Sequence, residues 1–222
     1  MNLEDLLRRF RTLADDKLQP FFWQDEDIID WLNDAQEQAA VRGRLLREDS
    51  DPRICSIALD PAQRTYRLHE AVVEIINVQL LPGTGDRPLP LHLVSREWLD
   101  AEIPDWRQEP NRPRYAIQDD VSLRLVGVPS VGDSLALECY RLPLKSLANE
   151  TDKPEIHRAH HEHLLDWVLN RAYSVPDTEK FDARRQIDAE LAFTKYFGPL
   201  PDSDMRRTTR TDVVHYNKSP LM

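Results

Sequence analysis

Glycine and cysteine are scarce in this sequence of 222 residues, which contains six glycines and two cysteines. Walker loops and dinucleotide-binding fingerprints need several glycines at fixed spacing, and neither pattern is found. A Gly-x-Ser-x-Gly nucleophile elbow is missing as well. Cys55 and Cys139 lie far apart in the sequence without a Cys-x-x-Cys pair, so we expect two reduced, buried thiols and no zinc site. The sequence thus predicts no cofactor.

A long hydrophobic run is also missing. No apolar stretch approaches the roughly 20 residues that cross a bilayer, and Met1–Asp5 has neither the basic region nor the apolar core of a signal peptide. With 41% hydrophobic and 31% charged residues, the composition predicts a soluble globular protein without a membrane partner. Because the formal net charge is −10, general affinity for DNA is disfavoured, although a local basic patch is compatible with this charge.

Amphipathic patterns predict two helices near the start of the chain. Residues 2–17 carry apolar side chains at three-and-four spacing, which places them on one helical face, and Pro20 follows the expected end. A second helix is predicted from Asp25 to about Arg47, because the acidic residues of its first turn suit the free amide groups there. Trp23, just before this helix, is expected to fold back onto its apolar stripe.

The middle of the chain, roughly 53–143, alternates apolar and polar residues between turn signals. Alternation of this kind is typical of half-buried strands. The pattern predicts a small antiparallel sheet of about five to seven short strands. Ser95–Leu99 is expected to begin one helical turn, and residues 104–113 are predicted to form a loop.

Two further helices are predicted in the last part of the chain. The first begins at a reciprocal cap between Asp152 and Glu155 and ends at Pro176–Asp177, where Asp177 caps the second. Gly198 followed by Pro199 is a stop signal, after which a flexible tail is expected. The following residues are expected to line the buried face of the last helix: Ala183, Ile187, Leu191, Thr194 and Phe197.

The four predicted helices determine the expected fold class. Each can bury its apolar stripe only against the others, so we predict that they pack together. The fold class is therefore predicted to be α+β, a four-helix bundle from N- and C-terminal helices with an inserted antiparallel β domain. The expected boundaries are 1–50 for the N-terminal helices, 51–150 for the β-rich insertion, 151–199 for the C-terminal helices and 200–222 for an extended tail.

Four histidines crowd into seven residues: His157, His160, His161 and His163. On a helix, His157 and His161 would share one face, which resembles the two-histidine part of a zinc-binding helix. In that motif a glutamate directly follows the first histidine, whereas Arg158 follows His157. A metal-dependent hydrolase that uses the His157–His163 cluster is therefore an alternative hypothesis. Hydrogen-bonded histidines at a solvated helix start, and a role in pH sensing, are the others.

Three arginines lie close together near the C-terminus: Arg206, Arg207 and Arg210. They could contact nucleic acid, which makes a nucleic-acid-binding protein a second alternative. Acidic residues are interspersed with them, at Asp202, Asp204 and Asp212. This mixture favours a segment that folds on a protein partner.

Several short motifs, spread in order over residues 15–200, carry a family resemblance. They are Trp23–Gln36, Asp105–Arg107, Pro113–Tyr115, Tyr140–Pro143, Pro154–Ile156, His161, Asp166–Trp167, Arg171–Tyr173 and Tyr196–Pro199. With these motifs the chain resembles bacteriophage head-to-tail adaptor proteins, the connector or tail tubular protein A-like family that sits below the portal. His157 departs from the proline expected after Pro154–Ile156, and the tail beyond Pro199 carries no matching motif.

The resemblance implies a structural role and no enzymatic one. Such adaptors form a ring, commonly of about twelve subunits, between the portal protein and the tail tube or nozzle, and genomic DNA passes through the lumen without specific binding. The protein would be made in the host cytoplasm and reside in the virion at the head–tail junction. Because C-terminal segments of the family often dock on the portal, the expected docking tail comprises Met205, Arg206, Arg207, Arg210, Val213, Val214 and Tyr216.

Overall fold

The computed structural model describes residues 1–175 and 180–201, which fall into two compact units. The first, called the helical unit, contains Met1–Arg47 and Tyr140–Leu200. The second, called the β unit, contains Glu48–Cys139. The presence of both helices and a sheet confirms the mixed α+β class.

The described residues form six α-helices and eight strands. In chain order, the helices are α1 (Leu3–Leu13), α2 (Asp25–Gly43), α3 (Pro52–Cys55), α4 (Arg96–Glu102), α5 (Leu164–Ser174) and α6 (Ala183–Phe197). Short 3-10 helices cover Trp106–Gln108 and Arg158–His163. The strands are β1 (Arg47–Glu48), β2 (Ser56–Ala58), β3 (Thr65–Arg67), β4 (Val72–Leu81), β5 (Leu89–Leu93), β6 (Tyr115–Gln118), β7 (Ser122–Val126) and β8 (Ser134–Arg141).

The first two helices lie where the sequence predicts them but end earlier. Asn2 caps α1, since its side-chain oxygen accepts a hydrogen bond from the Asp5 amide at 3.0 Å. The helix stops before Asp15, whose φ of 55° is left-handed, and α2 stops before Arg44, whose φ is 49°. A residue in the left-handed region cannot continue a right-handed helix.

One apolar core unites the four long helices of the helical unit. α5 packs against α1, α2 and α6. Trp23 shares this core with the apolar stripe of α2, and its ring lies edge-on to Phe10 at 5.6 Å and to Tyr173 at 5.7 Å between centroids. Each large apolar side chain that is fully buried contributes about 1.5–3 kcal/mol. All four helices supply such residues, among them Leu6, Phe10, Ile28, Leu32, Leu164, Val168, Phe193 and Phe197.

The predicted reciprocal cap between Asp152 and Glu155 is wrong. The Asp152 carboxylate accepts hydrogen bonds from the amides of Ala148 and Asn149 at 2.9 and 2.7 Å, so it stabilises a turn that precedes it. Glu155 is paired with Arg141 at 3.0 Å. Both carboxylates are therefore used by the preceding chain, and the helix begins later, as a 3-10 turn over Arg158–His163 that leads into α5.

The last helix ends where the sequence predicts, but a different residue caps its start. Asp182 caps α6, because its side chain accepts from the amides of Arg184 and Arg185 at 3.0 and 3.1 Å. Asp177, the expected cap, lies outside the described residues. Gly198 follows the helix with a φ of 95°, which only glycine adopts readily, and this confirms the stop signal.

The sheet runs in the order β1-β8-β4-β5-β6-β7-β3, with β2 also paired to β8. Most registers are antiparallel, for example β6 with β7 and β3 with β7. However, β5 and β6 are parallel, with His92 opposite Tyr115, so the sheet is mixed and the prediction of a purely antiparallel domain is wrong. A parallel pair needs a long crossover, and here the chain between β5 and β6 contains α4 and the turn at Trp106–Gln108.

That crossover is more ordered than the loop predicted for residues 104–113. Ser95 caps α4 as expected, since its hydroxyl accepts from the Trp98 amide at 3.1 Å. Trp106 is fully buried, and its indole N–H donates to Asp100 at 2.8 Å. The Arg107 guanidinium lies 4.5 Å from the Trp106 ring centroid. Trp106 in an otherwise polar segment thus indicated local order, because burying a side chain of this size contributes a large stabilising free energy.

Candidate interaction surfaces

A buried ion pair fixes the loop that connects α1 to α2. The Arg11 guanidinium pairs with the Asp16 carboxylate and donates to the Trp23 carbonyl at 2.7 Å. Asp16 also accepts from the amides of Phe22 and Trp23, at 2.9 and 3.3 Å. Burial alone would raise the pKa of Asp16, but these backbone bonds and Arg11 outweigh it and lower the pKa. The loop is therefore held in one conformation from inside.

This fixed loop presents apolar side chains to solvent. Leu18 is 85% exposed, and Leu13 at the end of α1 and Phe22 in the same loop are exposed as well. The Lys180 ammonium lies 6.0 Å from the Phe22 ring centroid, which places the segment before α6 next to this loop. We call Leu13, Leu18 and Phe22 the loop patch. Their side chains lie in solvent on a loop whose backbone is fixed.

A second apolar surface lies on α6. Ile187 and Leu191, four residues apart and so on one face, are 56% and 62% exposed. We call this pair the α6 stripe. Phe193 and Phe197 bury the inner face of the helix, which confirms the predicted core role of Phe197. The predicted core role of Ala183, Ile187 and Leu191 is wrong, because all three are exposed. The spacing rule identified an apolar stripe, but it could not show that Phe193, outside that stripe, would occupy the core.

The β unit has a comparable loop. The buried Asp133 carboxylate accepts from the amides of Gly83 and Ser130, at 3.1 and 2.9 Å, and pairs with Arg112 at 3.1 Å. Burial alone would raise the pKa of Asp133, but the hydrogen bonds and Arg112 outweigh it, so the pKa is lowered. At the tip of the same turn, Val131 is 86% exposed. Leu18 and Val131 were not among the site residues expected from the sequence, although an apolar residue inside a polar turn is a signal for both.

The four histidines do not converge on one point. His161 is buried, with Nε2 2.9 Å from the Ile156 carbonyl oxygen and Nδ1 3.1 Å from the backbone nitrogen of Met1. The His160 Nδ1 lies 3.2 Å from the Tyr196 hydroxyl, while the His163 ring stacks on the Tyr196 ring at 3.5 Å between centroids. The His157 side chain accepts from the Ala159 amide. These imidazoles join the 3-10 turn to its surroundings in the helical unit.

Burial governs the protonation of two of these imidazoles. It lowers the pKa of His161, against the opposing effect of the Ile156 carbonyl. It also lowers the pKa of His160, with His157 and His163 acting in the same direction. Within residues 1–175 and 180–201, no group of three or more His, Cys, Asp or Glu residues is arranged to hold a metal ion. The hydrolase hypothesis has no direct test in this geometry and stays a prediction.

Charge is distributed unevenly between the two units. The sequence of the β unit, residues 48–139, contains sixteen acidic residues against nine arginines and no lysine. In the two segments of the helical unit, 1–47 and 140–200, twenty acidic residues face sixteen basic ones. The β unit therefore carries most of the net negative charge, and a surface of this kind repels phosphate.

The residues proposed as a docking tail, Met205 to Tyr216, lie outside the described residues, as do the arginines of the nucleic-acid hypothesis. Among the helices that the structure describes, none combines the length and the apolar composition that spanning a membrane requires.

The described residues combine exposed apolar side chains with buried ion pairs that fix the loops beside them. In a comparison with protein families, the model of the SU10 adaptor protein family matches residues 1–215, and the chain therefore belongs to this family of phage adaptors. A comparison with curated proteins gives no match. Family membership makes the protein a structural component of the virion, associated with other components at the head–tail junction.

Proposed function

We propose that the protein is a head-to-tail adaptor that forms a ring between the portal and the tail and conducts DNA through its lumen. The observation that carries this proposal is the family match over residues 1–215. It agrees with the earlier resemblance to connectors of the tail tubular protein A-like type, which is the finer form of the hypothesis. The four-helix bundle with an inserted domain belongs to this finer form too.

Apolar residues on the surface support the formation of a ring. A ring closes through heterologous contacts, in which one surface of a subunit meets a different surface of the next. The loop patch and the α6 stripe are two different surfaces, and each exposes apolar side chains that the described chain leaves in water. Removing such side chains from water is the main driving force of association. About twelve subunits are expected from the family resemblance.

The charge distribution supports a conduit for DNA. A lumen that bound phosphate through arginine and lysine would hold the genome and slow its passage. The excess of acidic residues in the β unit has the opposite effect, because like charges keep the duplex away from the wall. We therefore propose that part of this unit faces the lumen.

The C-terminal segment is proposed to dock on the portal protein, while a tail tube or nozzle protein binds at the opposite face of the ring. This segment contains both arginines and apolar residues, so it can form ion pairs and bury apolar surface together. The residues concerned are Met205, Arg206, Arg207, Arg210, Val213, Val214 and Tyr216.

The test uses the full chain and the purified portal ring of the same phage. We expect both to sediment together in a gradient, and we expect electron microscopy of that fraction to show an added ring. Two variants locate the contact: a chain truncated after Pro201, and a full chain with Arg206, Arg207 and Arg210 replaced by alanine. Both should remain folded and lose affinity for the portal. No binding of the wild-type chain under any ionic condition would contradict the proposal.

A further inference from the structure

The two cysteines of the chain, which the sequence places far apart, meet in the core of the β unit. Cys55 is 5% exposed and Cys139 is fully buried, and both belong to the same apolar cluster. Their side chains are hydrogen-bonded to each other. Neither cysteine is in a disulfide, so the prediction of two reduced, buried thiols is confirmed, but it did not include their proximity.

The two cysteines lie near the two ends of the chain segment that forms the β unit. Cys55 ends α3, close to the start of the unit, and Cys139 in β8 is its last residue. The chain on either side is held by the pairing of β2 with β8, in which Ser56 lies opposite Ala136. A covalent bond between the two sulfur atoms would therefore join the beginning and the end of the unit, at a place where strand pairing already keeps the backbone segments together.

We propose that Cys55 and Cys139 form an intramolecular disulfide when the folded protein meets a low-molecular-weight disulfide. The thiolate of one cysteine attacks the oxidant's sulfur–sulfur bond, which releases one small thiolate and leaves a mixed disulfide. The second cysteine thiolate then attacks the protein sulfur of that mixed disulfide and releases the other small thiolate. Each cysteine loses one proton, and the two electrons reduce the oxidant to two thiols.

Burial determines when this bond forms. It raises the pKa of the Cys55 thiol, and the charge of Glu48 acts in the same direction against the hydrogen bond from Cys139. A buried thiol with a raised pKa reacts slowly, because local opening must precede attack. The pair stays reduced in a reducing cytoplasm and becomes oxidised slowly in an oxidising medium. Once formed, the bond closes a long loop and restricts the unfolded chain of the β unit.

The experiment exposes the reduced, folded full chain to oxidised glutathione under native conditions. Free thiols are then alkylated, and the digest is analysed by mass spectrometry without reduction. We expect both free thiols to disappear, a peptide linking Cys55 to Cys139 to appear, and the urea midpoint of the β unit to rise. Treatment with a thiol reductant should restore the original midpoint.

Two single variants, Cys55→Ser and Cys139→Ser, provide the controls. Each should form no internal cross-link and should show no rise in its midpoint after oxidation. Where a variant fails to fold, the wild-type chain still decides the question. Thiols that stay free in the folded chain but become linked in urea would overturn the proposal. A reaction that stops at the mixed disulfide, or a linked protein with a lower midpoint, would overturn it equally.

Discussion

The helical unit and the β unit each use a buried aspartate to hold a loop that exposes an apolar residue. Asp16 supports the loop of Leu18, and Asp133 supports the turn of Val131. Each carboxylate accepts two backbone amides and pairs with one arginine. The arginines differ: the Arg11 side chain is buried, whereas that of Arg112 is 38% exposed. Both units thus hold an exposed apolar residue in the same way, but the ion pair of the helical unit is buried on both sides and is less screened by solvent.

Replacing Asp16 with alanine tests the loop whose ion pair is more deeply buried. The change leaves Arg11 with only the largely exposed Asp25 as its carboxylate partner and leaves two amides without acceptors, which costs about 3 kcal/mol of unfolding free energy. Urea unfolding measures this loss. The exposed pair between Asp5 and Arg8 is the matched control, and Asp5→Ala should leave stability unchanged. Equal effects of both changes would show that Asp16 is not the support of its loop.

Replacing Asp133 with alanine should cost less. Two amides lose their acceptor, but Arg112 is partly exposed and regains water, so we expect a loss of about 1–3 kcal/mol. The same urea experiment measures it. A loss that exceeds that of Asp16→Ala would reverse the ranking of the two loops.

Acid should weaken the helical unit more than the β unit. The folded pKa values of His160 and His161 are lowered, mainly by burial, so the unfolded chain binds protons first. Stability is then complete above the unfolded histidine pKa, near 6.5, and falls as the pH drops below it. Burial raises the pKa of Asp166, which opposes this trend only at lower pH.

Hydrogen exchange at pH 7.5 and 5.5 measures this difference in each unit. We expect protection in α5 and α6 to fall at the lower pH, while protection of β6 and β7 changes little. His161→Gln keeps a polar side chain without the titration and should reduce the pH dependence. An equal response of both units would contradict this interpretation.

Serine substitutions at the loop tips should have the smallest effect on stability. Leu18→Ser and Val131→Ser remove side chains that lie in water, so each should change the unfolding free energy by no more than about 0.5 kcal/mol. Thermal unfolding checks this expectation. A large loss at either position would mean that its side chain packs within the subunit and is not available to a partner.

Local signals predicted much of the helical unit. The acidic first turn of α2 and the stop at Gly198 depend on neighbouring residues, and both are confirmed. The cap at Asp152 failed because two amides before it compete for the carboxylate. The Glu155 carboxylate is likewise engaged, because it forms an ion pair with Arg141, fourteen residues earlier in the chain.

Non-local choices explain the other differences. Alternation along β5 and β6 shows which residues are half-buried, but it carries no information on the relative direction of the two strands. The α6 stripe shows the same limit: Ile187 and Leu191 have the spacing of a core face, and only the packing of Phe193 against Trp167, at 5.0 Å between centroids, reveals which face is buried. The periodic pattern therefore identified the apolar residues of the α6 stripe but not that they are exposed.

The central claim is that apolar residues exposed on rigid supports are contacts of the assembled ring. The most direct measurement is the mass of complexes formed on purified portal rings by the wild-type chain and by Ile187→Ser/Leu191→Ser, with Arg184→Ser on the same helix as the matched control. We expect the wild type and the control to add a complete ring. The double variant should remain folded, with an unchanged unfolding midpoint, and fail to complete the ring. A double variant that assembles like the wild type would contradict the claim.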